Sequence, residues 1–432
     1  MISDALLDEA YVWMWLPNAG EPVVAGRIFR EGPNLLFNYG NTYLARENSI
    51  PIYDPELPLR SGYIPLLPGL SIPACLRDAA PDAWGRRVIL NRRSGIQGPG
   101  VDIDQLDELT CLLESGSDRV GALDFQRSPT VYRPREAETA TLDELVTAAE
   151  RVEAGVALTP ELERALFHGS SIGGARPKAL IESGETKYIA KFSSSSDLYS
   201  VVKSEYLAMR LASLSGIEAA AVQLRHAAGK DVLLVERFDR QRLGQAWGRK
   251  AVVSALTLFE LDEMMARYAS YEHLAEILRH RSERPVPTLR ELFQRLVFNI
   301  LCGNTDDHAR NHATFWDGRR LALTPAYDVC PQARLGREAS QAMLVHGEGR
   351  SSKLSLCIRA ATSFMLSARE AEVIIEHQVR TIVEHWRQLC EEAQVSDVDR
   401  ALLWGRVFLN PFAFEDAPAR VRQLARSSGF PP

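Results

Sequence analysis

Leu301-Cys-Gly-Asn-Thr-Asp-Asp-His-Ala-Arg-Asn-His312 is the stretch on which the reading of this chain turns. Upstream of it, Leu289, Leu292, Phe293, Leu296, Val297, Ile300 and Leu301 recur at helical spacing on one face, which predicts a core helix. Thr288 and Glu291 have the spacing of a capping box at its start. Gly303 suits its end, because glycine takes the left-handed conformation without steric cost. The chain therefore leaves a buried helix and presents Asn304, Asp306, Asp307, His308, Arg310, Asn311 and His312 on a polar loop. Residues 314–323 then read as a hairpin turning at Asp317-Gly318, followed by Leu323-Thr-Pro-Ala-Tyr-Asp328.

Asp306 and Asn311 are five positions apart, and Asp328 follows the hairpin. Protein kinases need three such groups. One carboxylate orients and deprotonates the attacking hydroxyl, while an amide oxygen and a second carboxylate hold Mg²⁺ against the phosphates. An Asp-x-x-x-x-Asn match followed by a later Asp supplies that set in that order. The pattern alone is weakly specific; its setting, a buried helix running into a polar loop and a hairpin, strengthens it.

Composition bounds the rest. With 432 residues the chain is long enough for two or three domains with real cores. Hydrophobic and charged contents of 46% and 25% are those of a globular protein, and a net charge of −6 gives no support to general polyanion binding. Six scattered cysteines without a Cys-x-x-Cys fit reduced thiols in a cytoplasmic setting better than a disulfide frame or zinc site. The acidic first residues lack a signal peptide's basic start, and no apolar run nears the roughly 20 residues that span a bilayer.

Taken in order, Tyr11–Leu16, Val23–Ile28 and Asn34–Tyr39 read as strands of a small β meander, broken at Pro17-Asn-Ala-Gly20 and Glu31-Gly-Pro33. Residues 83–90 read as a helix opened by Asp82, and residues 104–125 as helical, then extended. Residues 127–140 are rich in Pro, Thr and Glu and read as a linker or mobile loop. Thr141 and Glu144 form a second capping box, opening a helix to about Glu153. The glycine- and serine-rich window His168-Gly-Ser-Ser-Ile-Gly-Gly-Ala-Arg-Pro-Lys178 would let backbone N–H groups approach an anion, although an ordinary helix–strand loop has the same composition. A hairpin over 179–191 follows, with Lys191 on its second strand. A kinase places a glycine-rich cover and then a strand lysine over the phosphates; an ordinary surface lysine is the alternative. Glu205, on a helix over 200–215, reads either as an ion-pair partner of Lys191 or as a solvated glutamate. Val232–Asp239 is an apolar strand ending in charge, whose Glu236 and Phe238 edge suits backbone contact with adenine. Residues 257–282 read as helical, Ser367–Glu370 as a third capping box, Ser396–Asp399 as the start of a last helix reaching Phe408, and residues 420–432 as a frayed tail.

The ordered set Ser171-Ile-Gly-Gly-Ala-Arg-Pro-Lys178, Lys191, Glu236-Arg-Phe-Asp-Arg240, Gly303-Asn-Thr-Asp-Asp-His-Ala-Arg-Asn311 and Thr324-Pro-Ala-Tyr-Asp328 resembles the HipA family of serine/threonine kinase toxins of type II toxin–antitoxin systems. Leu66-Leu-Pro-Gly-Leu70 and Pro81-Asp-Ala-Trp-Gly85 are similar to that family's N-terminal region, so the resemblance runs from about Val12 to the C-terminal helices. It implies Asp306 and Lys191 as catalytic and Asn311 and Asp328 as Mg²⁺ ligands. ATP contacts are implied for Ser171, Gly173, Gly174, Lys178, Lys191, Glu236, Phe238 and His308. Ser171, or the adjacent Ser170, is implied as the site of self-phosphorylation. Arg176-Pro177 departs from the acidic or amide residues common in the family at that place. Protein substrates, notably aminoacyl-tRNA synthetases, and a small helix-turn-helix antitoxin that makes most of the DNA contact are the implied partners, with no membrane involvement.

The expected fold is α+β: a β-rich N-terminal subdomain (1–126), a linker with helices (127–167), a nucleotide-binding lobe (168–285) and a helical catalytic C-lobe (286–432), the last two forming a kinase-like two-lobe body with ATP between them. Two other readings stay open. Asp306, Asp307, His308 and His312 could ligate the metals of a phosphohydrolase, which leaves the glycine loop, Lys191 and Asp328 without a role. A catalytically weak, kinase-like binding module acting through an antitoxin–DNA complex is the other, against which the intact Lys191, Asp306, Asn311 and Asp328 argue.

Overall fold

A computed structural model describes residues 7–94, 106–135, 140–154, 156, 158–159, 161–162, 176–194, 197, 199–334 and 336–427. The chain folds as two compact units, one of residues 1–196, 225–253 and 315–319, the other of residues 197–224, 254–314 and 320–432. Helix and sheet are mixed, as expected for an α+β chain.

In the first unit the aromatic and β-branched runs form the expected meander. Strands β1 (Glu9–Met14), β2 (Val23–Glu31), β3 (Asn34–Tyr39) and β4 (Tyr63–Ile64) pair antiparallel in succession, and β5 (Leu123–Gln126) adds to the open edge of β1. Gly32, at φ 59°, makes the turn from β2 to β3. Residues 127–135, expected as a loose linker, carry no strand or helix but are tied down. The Tyr132 ring packs on Trp13 and Trp15 at centroid distances of 5.4 and 5.5 Å, and Arg135 Nη2 lies 2.8 Å from the buried Asp124 carboxylate. Helix α1 (Ala83–Ser94) and helix α2 (Leu142–Glu153) follow, the latter held by both halves of the Thr141–Glu144 capping box. Strands β6 (Lys178–Ser183), β7 (Thr186–Phe192), β8 (Val222–Ala227) and β9 (Lys230–Glu236) make a second sheet ordered β6-β7-β9-β8. Trp84 and Val88 of α1, Leu145 and Ala148 of α2, and Ala190, Phe192, Val232 and Leu234 of the sheet share one core.

The second unit is largely helical: α3 (Val201–Leu214), α4 (Tyr271–Arg281), α5 (Pro285–Leu301), α6 (Leu354–Ala360), α7 (Ala368–Glu392) and α8 (Ala419–Ser427). It departs from expectation in four places. The continuous helix over 257–282 is broken, because Ser254, Asp262 and Ser270 each cap a new start and Glu260 reverses the backbone at φ 58°. Thr288 is not an N-cap. Helix α5 starts at Pro285, whose ring suits the first helical position, and Glu291 instead lies 2.9 Å from Arg295 Nε. The helix opened by Ser396 stops at Leu403, as Gly405 turns left-handed at φ 73° and Phe408 N–H returns to the Leu403 carbonyl. The expected frayed tail is helical to Ser427, with Val421 buried and Arg420 paired to Glu376. The Ser367–Glu370 capping box is present in full. Among the described residues no helix is long and apolar enough to cross a membrane.

Candidate active site

The loop after α5 is built on a Schellman ending. Gly303 N–H donates to the Ile300 carbonyl and Asn304 N–H to the Asn299 carbonyl, with Gly303 at φ 72°. A Cβ at Gly303 would stand 2.7 Å from the Val407 carbonyl oxygen, so the close backbone approach also demands glycine. Backbone bonds from Gln332 N–H to the Gly303 carbonyl and from Ala342 N–H to the Thr305 carbonyl hold the loop's base.

Within that frame the two adjacent aspartates part. Asp306 faces solvent, whereas Asp307 is buried. Crowding by the surrounding protein raises the Asp306 carboxyl above its ordinary range; His308 opposes the rise, and the nearby Asp328 and Asp307 carboxylates add to it. Asn311 ends a 3₁₀ turn, Ala309–Asn311, and its Nδ2 donates to the Asp306 carbonyl at 3.2 Å, which turns its amide oxygen the other way. Asp328 sits at φ 57°, a left-handed conformation that costs a non-glycine residue energy and persists only where neighbours enforce it. The neighbours are visible. Ala326 bonds through both backbone groups to Glu218 and Ala220, Arg295 Nη2 donates to the Thr324 carbonyl at 2.8 Å, and Tyr327 Oη donates to the Arg310 carbonyl at 2.6 Å. The sequence-predicted Asp306, His308, Asn311 and Asp328 are thus brought together in one unit.

A buried polar chain stands behind them. Asn304 Nδ2 donates to Asn299 Oδ1 at 3.0 Å, Asn299 contacts the Tyr271 hydroxyl, that hydroxyl donates to Asp307, and Asp307 Oδ1 lies 3.0 Å from His312 Nε2. Burial, reinforced by Asp307, holds the Tyr271 hydroxyl well above its usual range, so it stays protonated and donating. Asp307 and His312 are both buried and lie side by side, and Asp307 accepts from Tyr271. That removes two of the four ligands on which the metal-phosphohydrolase reading depends. The sequence assigns no role to Tyr271 or Asn299; Asn299, a polar residue in an otherwise apolar helix end, is the available signal.

In the first unit Lys191 lies on the central strand β7, paired with Lys178 of β6 and Leu233 of β9. The Lys178 side chain is buried. β9 is buried from Val232 to Val235, and Glu236 emerges exposed at its end. The Phe238 ring meets Phe315 edge-on at 5.8 Å. Glu205, in the second unit, is 4% exposed, so it is not a solvated glutamate. Ser170, Ser171, Gly173 and Gly174 lie outside the described residues.

A family model of the HipA-like C-terminal domain matches residues 170–386, and one of the HipA N-terminal domain matches residues 16–126. A protein of Sinorhizobium fredii named as a kinase, Y4mE, is 28% identical over 332 residues, covering 68% of this chain and 71% of that protein. The serine/threonine-protein kinase toxin HipA of Shewanella oneidensis is 27% identical over 186 residues, 37% of this chain and 42% of that protein. Among solved structures, HipA of Shewanella oneidensis in a complex with HipB and operator DNA superposes with a TM-score of 0.68 at 18% identity, covering 94% of this chain and 95% of that one, which shows a shared fold.

Proposed function

The chain belongs to the HipA family of kinases, and from that premise we propose that it transfers the γ-phosphoryl group of ATP to serine or threonine hydroxyls of a protein, in the presence of Mg²⁺. The observation that carries this reading is the convergence of Asp306, Asn311 and the left-handed Asp328 within one unit, where burial first, and then the Asp328 and Asp307 carboxylates, favour the protonated form of Asp306.

The donor set fits Mg²⁺. It is made of hard oxygens, and a cation held there would offset the repulsion between the neighbouring Asp306 and Asp328 carboxylates. Asn311 and Asp328 would hold the ion, and when bound it neutralises charge on the phosphates. Asp306 accepts the proton of the acceptor hydroxyl as that oxygen bonds to phosphorus and the bond to the departing ADP breaks. Burial, the largest cause of the raised proton affinity of Asp306, favours that role. Asp307, anchored by Tyr271 and His312, fixes the loop that aims Asp306. Lys191, on its rigid central strand, is assigned to the ATP phosphates, and the backbone at Glu236 and Phe238 to adenine.

Self-phosphorylation is assigned to Ser171 or Ser170. It would add a charge of about −1.5 to −2 to a phosphate-binding loop and expel it by repulsion, silencing the enzyme. A helix-turn-helix antitoxin is the proposed partner, supported by family membership and by the acidic balance of the chain, which suits DNA contact made through such a partner. An aminoacyl-tRNA synthetase is the proposed substrate class on the family resemblance alone.

The test is ADP formation by the full-length protein. Asp306→Asn should lower turnover by about 10²–10⁴-fold, the usual worth of a positioned base. Asp328→Asn and chelation should also abolish it, with Mg²⁺ restoring only the chelated enzyme. Full turnover by Asp306→Asn would overturn the assignment.

A further inference from the structure

The end of β9 is gripped by charges that phosphoryl transfer does not use. Arg237 and Arg240 have side chains only 1% exposed. Arg237 Nη1 donates to Asp118 Oδ1 at 3.0 Å, its Nε and Nη2 donate to the two oxygens of Asp239 at 3.0 and 2.9 Å, and its Nη2 reaches the Arg119 carbonyl at 2.6 Å. Arg240 Nη2 donates to the same Asp118 oxygen at 2.7 Å, and Nη1 donates to Asp239 Oδ2 at 2.8 Å and to the Gly121 carbonyl at 3.1 Å. Lys187 Nζ, from β7, takes the other Asp118 oxygen at 2.8 Å, and Gly121 N–H donates to Asp239 at 2.8 Å. The loop Asp118–Gly121, which leads into β5 of the N-terminal sheet, is thereby bound to Arg237–Arg240.

Holding a strand end needs no such network, since four buried residues, Val232–Val235, already anchor β9. Burying charges costs desolvation, and apolar replacements of such networks are often no less stable. What paired charges supply is direction. Beyond Glu236 the chain turns at Phe238-Asp239: Arg237, Asp239 and Arg240 are buried in the clamp, while Glu236 is exposed and the half-buried Phe238 meets Phe315. Arg237 N–H is spent on the Lys187 carbonyl and the Asp239 carbonyl on Lys250 N–H, so the clamped positions are fixed through backbone as well as side chain.

We infer that Asp118, Arg237 and Asp239 are positioning residues for base recognition: the N-terminal β-sheet region sets the orientation of the Glu236–Phe238 edge, and selectivity for adenine depends on it. The inference rests on the adenine contact proposed for that edge. Asp118 touches no nucleotide; it acts by holding Arg237 and Arg240.

Binding of ADP and of GDP to the full-length protein, measured by calorimetry, tests it. Wild type should prefer ADP. Asp118→Asn, which keeps shape but loses charge, should weaken ADP binding by about tenfold, the worth of one well-placed hydrogen bond, and reduce the ADP-over-GDP preference by a similar factor. Asp118→Glu should recover part of both. Lys187→Met, at the rim of the network, should move the preference the same way by a smaller factor and serves if Asp118→Asn does not fold. A purely structural clamp would lower the melting temperature and the bound stoichiometry while leaving both dissociation constants and their ratio unchanged; that result overturns the inference. Lys191→Ala, a phosphate contact, should weaken ADP and GDP alike. Wild type that binds neither nucleotide would instead sink the kinase reading, and the inference with it.

Discussion

Asp306 and Asp307 are adjacent and identical in kind, and only the fold assigns them different work. Asp306 could be picked out because its distance to Asn311 and the later Asp328 has chemical meaning. Nothing in the local sequence shows that Asp307 turns inward, since its hydrogen-bond donor Tyr271 comes from helix α4, 36 positions away. Tyr271→Phe tests that assignment. It leaves a buried carboxylate with one donor fewer, a loss of about 1–3 kcal/mol. Denaturant titration should show a fall of that order, and turnover should drop with it, because the Asp306 loop loses its anchor. Unchanged stability would mean that Asp307 is satisfied without the tyrosine.

At the level of elements, periodicity and caps told most of what was legible. The boxes at Thr141 and Ser367 form as expected, and the apolar face of α5 is the one that is buried. Thr288–Glu291 has the same spacing and fails, because Pro285 provides an earlier start and Glu291 is drawn to Arg295 and to Glu218 N–H. A four-residue signature cannot register that competition. The glycine that ends α5 is the stricter requirement. Gly303→Ala must carry a Cβ at φ 72° against the Val407 carbonyl, so it should cost at least about 1 kcal/mol in unfolding free energy and displace Asn304–Asp306, lowering turnover. Wild-type activity in that variant would show that the Schellman ending does not set the loop.

For the molecule as a whole, the sequence showed a β-rich start and a helical end. It did not show that Asp118 and Arg240, 122 positions apart, would meet in a buried network. Charged residues scattered along a chain read as surface until the fold gathers them. Burial works to raise Asp239, but Arg237 and Arg240 more than offset it and hold the carboxyl at about 2, below its ordinary 3.8. A depressed folded value stabilises above the unfolded value and is lost as pH falls through the folded one. The first unit should therefore lose on the order of 2 kcal/mol between about pH 4 and pH 2, and Asp239→Asn should be less stable at neutral pH with a flatter acid limb. Unfolding followed by denaturant across that range checks both.

Phosphoryl transfer to a serine is the central claim. The most direct measurement is intact mass with peptide mapping of phosphatase-treated protein after incubation with ATP and Mg²⁺, beside Asp306→Asn. The predicted result is one added phosphoryl group at Ser171 or Ser170 in the wild type and none in the variant. No added phosphate in the wild type, or an equal gain in Asp306→Asn, would contradict it.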